Sequence, residues 1–72
     1  MRVAVCDKDP QVLEQVAGWV RDMEFVSRCD TFSLLSKIVR AVELGGDYDI
    51  ILMAISWGEE HDGIDAARRI AQ

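Results

Sequence analysis

Tyr48-Asp49-Ile50-Ile51-Leu52-Met53-Ala54-Ile55 is the stretch on which the fold turns. From Ile50 to Ile55 it has no polar face, the pattern of a strand in a parallel sheet covered on both sides. It is also far shorter than the ~20 apolar residues that a membrane helix requires. Just before it, Gly45-Gly46 ends a helical pattern whose apolar face is Leu34, Leu35, Ile38, Val39 and Val42. Thr31 or Ser33 is the expected cap of that helix. Further back, Phe25 to Cys29 alternates as a second strand. Before that, Val12, Leu13, Val16, Trp19, Val20 and Met23 recur at helical spacing as one apolar stripe, on which Trp19 reads as a core residue or as one left partly uncovered for association. Asp9-Pro10 supplies this first helix with a favoured N-cap and a proline at its first position. Arg2 to Cys6 reads as the opening strand. On the other side of the central run, a polar loop from Ser56 to Gly63 leads to a last helix, with Ile64, Ala67, Ile70 and Ala71 as its inner stripe. The order is βαβαβα, and parallel strands joined by right-handed crossovers are its economical solution.

Composition bounds the function. The chain has 72 residues, 50% of them hydrophobic and 29% charged, which suits one small globular domain, or part of one, and neither a disordered tract nor a membrane protein. Eight basic against thirteen acidic side chains leave a net charge of −5, so the domain is not expected to seek nucleic acid phosphates. Arg2 precedes only a short apolar run before Asp7, Lys8 and Asp9, which does not make a signal peptide, and a cytoplasmic location is expected. Cys6 and Cys29 form no CxxC and no zinc set, and read as reduced core thiols. So short a chain buries about 60–65% of its unfolded surface, near the lower limit for a single core.

Topology adds two expectations. With strand order 2-1-3 the most hydrophobic strand lies at an edge, where bare backbone groups invite pairing. The sheet is therefore expected to continue beyond Gln72, or to be completed by another molecule through self-association at the third-strand edge. In an open α/β sheet the site lies at the carboxyl ends of the strands where the order reverses. That point receives Cys6-Asp7-Lys8-Asp9 from the first strand and Ala54-Ile55-Ser56-Trp57 from the third. Acidic residues after a first strand commonly hold Mg²⁺, whereas a first turn without glycine argues against a phosphate-cradling loop.

Taken together, Val3-Ala4-Val5-Cys6-Asp7-Lys8-Asp9-Pro10, Tyr48 to Ile55 and Asp62-Gly63-Ile64-Asp65-Ala66-Ala67 resemble the receiver domain of bacterial response regulators over all 72 residues. The Cys-Asp-x-Asp-Pro opening is similar to regulators whose receiver precedes a LytTR-type DNA-binding domain. The resemblance implies a flavodoxin-like fold with strands four and five beyond residue 72. It also implies an acidic pair, a phospho-accepting aspartate ending the third strand, and Mg²⁺ to neutralise charge as a histidine kinase donates a phosphoryl group. This chain departs at both places. The acidic pair falls on Asp7 and Lys8, and the acceptor position falls on Ala54, which has no nucleophile. A degenerate metal site would keep only Asp7 and the Ser56 carbonyl, so no cofactor is expected beyond a weak affinity for Mg²⁺. Lys8 could stand in for the metal's charge, or pair with Asp7 or Asp9.

The expected function is a pseudo-receiver: a non-enzymatic interaction module in two-component transcription regulation that works without phosphorylation. Alternatives are a receiver whose aspartate was engineered to Ala54, a phosphorylated switch using Ser56 or Asp49, and a small-ligand-binding flavodoxin-like module beside Trp57. Trp57 and Trp19 are the candidate interface residues, since interface hot spots favour tryptophan. Asp9 reads as a cap rather than a ligand. His61, Glu59 and Glu60 read as solvated side chains, and Arg68-Arg69 as favourable charge in a last helical turn.

Overall fold

The computed structural model describes residues 1–54 and 62–71. They form β1 (Arg2–Cys6), α1 (Pro10–Arg21), β2 (Arg28–Phe32), α2 (Leu35–Glu43), β3 (Ile50–Met53) and α3 (Asp62–Ala71). All strand pairings are parallel and the order is β2-β1-β3, with Val3 beside Cys29 and Ile50, and Cys6 beside Phe32 and Met53. The α/β class and the 2-1-3 order are those expected from the sequence.

Among the described residues β1 alone has a strand on each side, which makes it the centre of the sheet. Val3, Ala4, Val5 and Cys6 are at most 3% exposed. Their alternation feeds two cores. Val3 and Val5 meet Leu13 and Val20 of α1, with Val16, Val26 and Cys29 around them. Ala4 and Cys6 meet Ile38 of α2, with Phe32, Val42, Tyr48, Ile51, Met53 and Ile70 around them. One helix therefore covers one face of the sheet, and two cover the other.

Local sequence explains the helix ends. Asp9 caps α1 by accepting the Gln11 N–H at 2.9 Å, and Pro10 follows in the first turn. At the other end of α2, Gly45 adopts φ +94°, a region that L side chains avoid. Gly45 and Gly46 donate to Val42 O and Ala41 O at 3.0 and 2.8 Å, the paired bonds of a Schellman stop. A Cβ on Gly46 would lie 2.6 Å from Ala41 O, so the close approach needs glycine there.

Four expectations are corrected. The second strand is Arg28–Phe32, not Phe25–Cys29. Phe25 O and Ser27 N–H instead bind the Met1 ammonium and Met1 O, each at 2.8 Å, which makes this segment a tied lead-in. Thr31 lies inside β2, and α2 begins after Leu34 without a side-chain cap. In α3 the inward residues are Gly63 and Ala66, with Ile70 half-buried, while Ile64, Ala67 and Ala71 are exposed. Small residues let α3 lie close to α2, and Arg69 reaches Glu43 at 3.0 Å across the top of that contact. Finally, β3 is covered on one side only: Ile51 and Met53 pack under α2 and α3, but Ile50 and Leu52 are 38% and 42% exposed. Ile55 lies outside the described residues.

The polar residues that disguised β2 serve a second purpose. The Tyr48 hydroxyl donates to Asp30 Oδ2 at 2.6 Å, and Arg28 Nε lies 3.0 Å from the same oxygen. The Tyr48 hydrogen bond is the main cause that holds the Asp30 carboxyl below its usual range, and Arg28 adds to it. Tyr48→Phe is predicted to lower stability by about 1–2 kcal/mol in urea unfolding at neutral pH. Because Asp30 is ionised more readily in the folded state, its contribution is complete above the ordinary value of 3.8 and fades as pH falls below it. The penalty of Tyr48→Phe should accordingly shrink in acid.

Candidate functional site

The carboxyl end of β1 is pinned from both sides. Asp7 N–H donates to Phe32 O at 3.1 Å, and Ala54 N–H donates to Cys6 O at 3.0 Å. The turns after β1 and β3 therefore leave the sheet as neighbours, as the 2-1-3 order requires. Asp7 and Ala54 both border a cavity of about 260 Å³, together with Val5, Cys6, Val12, Val16, Leu52 and Met53. The edge of α1 that carries Val12 and Val16 forms one wall and β3 forms the other.

The acidic turn is organised by its own backbone. Asp7 is half-buried, and its Oδ1 accepts the Asp9 N–H at 3.0 Å. Asp9 Oδ1 is occupied by Gln11 N–H, so Asp9 is the cap of α1 and does not line the cavity. Lys8 is exposed, lines no wall of the cavity and makes no ion pair among the described residues. The expected pairing of Lys8 with Asp7 or Asp9 is not formed; each carboxylate accepts a backbone N–H through its Oδ1. Mg²⁺ is a hard cation that prefers converging carboxylates. One carboxylate faces the cavity, a cation follows it, and no group of three His, Cys, Asp or Glu side chains gathers among the described residues. Ser56 and Trp57, together with Glu59, Glu60 and His61, lie outside the described residues.

Besides the Asp7 carboxylate, only the Cys6 thiol offers a nucleophilic atom on the cavity wall among the described residues. Ala54 offers a methyl group. Burial pushes the Cys6 thiol up to about 12, so it stays protonated and unreactive near neutrality. Cys29 is half-buried, and both cysteines are free. Asp49, the alternative acceptor, sits at the opposite end of β3, where its Oδ2 accepts the Arg2 N–H at 2.8 Å and its N–H donates to Arg2 O at 2.9 Å. It binds the start of β3 to the start of β1 and is about five residues, roughly 16 Å, from Ala54 along the strand. Trp19, read as core or partly uncovered, is 59% exposed on the same edge of α1 as Val12 and Val16. Its helical spacing was right, but the stripe is wider than the face that the sheet covers.

A second polar cluster, at the amino ends of the strands, escaped the sequence reading. Arg2, Arg28, Asp30, Asp47 and Tyr48 line a cavity of about 190 Å³ with Gly45 and Gly46. Its only early signal was Tyr48 standing just before the apolar run. Two cations balance two carboxylates there, and the internal hydrogen bonds give it a structural role.

No protein-family model, curated protein or solved structure matches this chain. Among the described residues, no helix is long and apolar enough to cross a membrane.

Two outcomes are predicted. Asp9→Ala should destabilise the fold by about 1 kcal/mol in urea unfolding, as loss of an N-cap does. A thiol reagent at neutral pH should label Cys29 first and reach Cys6 only as the protein unfolds. The folded state keeps the Cys6 proton to about 12, whereas the unfolded chain releases it near 9.0. Stability should hold below pH 9 and fall as pH rises from there towards 12.

Proposed function

We propose that this chain is a receiver-like module of a response regulator that signals without accepting a phosphoryl group. The observation that carries the reading is Ala54 at the carboxyl end of β3, hydrogen-bonded to Cys6 O and sharing a cavity with Asp7. That is where an open sheet of this order builds its site, and the position that would carry an acceptor holds a methyl group. The 2-1-3 parallel order, the acidic turn opened by Asp7 and the cation at Lys8 support the same reading. An acyl phosphate needs a carboxylate oxygen to attack phosphorus, and Ala54 has none. Loss of charge balance for Mg²⁺ at Lys8 points the same way.

On this reading the module acts in the cytoplasm in two-component transcription regulation, beside an output domain of the LytTR type, with a histidine kinase as a binding partner at most. Its work is protein–protein contact, and its net charge of −5 argues against direct contact with nucleic acid. The apolar edge of α1 and the uncovered side of β3 are the surfaces available for that contact.

Incubation with acetyl phosphate and Mg²⁺, followed by intact-mass measurement, tests the proposal. The expected spectrum shows the unmodified chain alone. A stoichiometric phosphoryl adduct would overturn the reading, and mapping that adduct to Ser56 or Asp49 would replace it with a phosphorylated switch.

A further inference from the structure

β2 lies at the other margin of the sheet from β3, so strands added beyond β3 would leave its edge untouched. Cys6 O faces β3 through the Ala54 N–H, and Phe32 O faces β1 through the Asp7 N–H. Alternation along the parallel ladder then turns Arg28, Asp30 and Phe32 towards β1, and directs the N–H and C=O groups of Cys29 and Thr31 to the open edge. Edge strands are commonly guarded by charge, and here the guards have opposite signs, with Arg28 and Asp30 on either side of Cys29. Arg28 engages Asp30 only through Nε, at 3.0 Å, and its two amino groups bind nothing among the described residues.

The helix above this edge carries a second observation. α1 packs over β1 and β2, and its Leu13, Ala17 and Val20 are buried against the sheet. Val12 and Val16 form the edge of α1 that faces β3. Glu14, Gly18 and Arg21, four and then three residues apart, therefore lie on the opposite edge, towards the outside of β2. All three are exposed. Glycine weakens a helix interior, and a Cβ added to Gly18 would meet no atom within 4 Å. Packing within the chain gives no reason for glycine there, whereas the close approach of another helix does.

We propose that β2 pairs antiparallel with β2 of a second copy of the chain, about a two-fold axis at Cys29, and that the two α1 helices meet at Gly18. Arg28 of each copy then lies opposite Asp30 of the other, and opposite charges that face one another across strands attract. A parallel pairing would set Arg28 beside Arg28, and an axis at Asp30 would set Asp30 beside Asp30. Neighbouring strands stand about 4.8 Å apart, so two helices that each lie above their own β1 and β2 come within roughly 10 Å, the distance at which helices pack. The axis runs α1 antiparallel to its counterpart, and Glu14 of one copy approaches Arg21 of the other across the two Gly18 residues. Strand and helix are thus both self-complementary in charge, as a two-fold interface requires. Ser27 N–H is already bonded to Met1 O at 2.8 Å, so the strand ladder ends at Arg28 and the helices supply the rest of the contact. The inference goes beyond the receiver-like reading and does not depend on it.

Sedimentation across a dilution series tests the inference, with amide hydrogen exchange read at both ends of the series. The 72-residue chain is expected to pass from monomer to dimer as concentration rises, and the Cys29 amide should gain more protection than the Asp30 amide. Gly18→Leu should stay folded by circular dichroism, because open space surrounds the site, and raise the dimer Kd by about tenfold or more, since symmetry places the change twice in the contact. Arg28→Asp and Asp30→Arg each set like charges opposite and should be monomeric alone, whereas an equimolar mixture of the two should associate. A folded chain that stays monomeric throughout would overturn the inference. So would a dimer whose Cys29 amide gains no protection, a dimer that Gly18→Leu leaves unchanged, or a mixture of the folded charge variants that associates no better than either alone. None of these results bears on phosphorylation, which the mass measurement decides alone.

Discussion

The structure depends on β1 being hydrogen-bonded on both sides while buried on both faces. Burying a backbone costs heavily unless each N–H and C=O finds a partner, and a central parallel strand is the arrangement that supplies them. Val3 to Cys6 supply side chains small enough to sit beneath α1 on one face and α2 on the other. Everything of functional interest is placed relative to that strand. Asp7 is carried to the rim because Cys6 is the last fully buried residue, and Ala54 arrives beside it because its N–H completes the bonding of Cys6 O.

The chemistry at that rim follows from what each group is already doing. Asp7 and Asp9 are committed to the first turn of α1, Lys8 points to water, and Cys6 is held neutral by burial. Val5, Val12, Val16, Leu52 and Met53 make most of the cavity wall apolar. The proposal that the chain is a binding module draws on these same features.

Much of the fold was legible in the sequence, and the failures have physical causes. Asp9-Pro10 and Gly45-Gly46 declared the ends of their helices because capping is local chemistry, and both act as expected. The apolar run after Asp49 marked a parallel strand, although only one of its sides is covered. β2 was misplaced because Asp30 looks like a loop residue until Tyr48, 18 positions away, supplies the hydroxyl that satisfies its carboxylate. The phase of α3 was missed because hydrophobicity favoured Ile64, whereas close packing on α2 favoured Gly63 and Ala66. Periodicity also cannot tell how much of an apolar surface its neighbours will cover, which is why Trp19, Ile50 and Leu52 emerged exposed. At the site, chain order brought Asp7 and Ala54 together correctly, but the backbone bonds that engage Asp7 and Asp9 became visible only in three dimensions.

The adjacency of the turns after β1 and β3 is the claim beneath all of these, and nuclear Overhauser contacts in solution test it most directly. The account predicts strong cross-peaks from the Ala54 amide to the Cys6 and Asp7 α-protons, together with contacts from the Asp7 amide to Phe32. An Ala54 amide that shows no contact with Cys6 or Asp7 in the folded protein would contradict it.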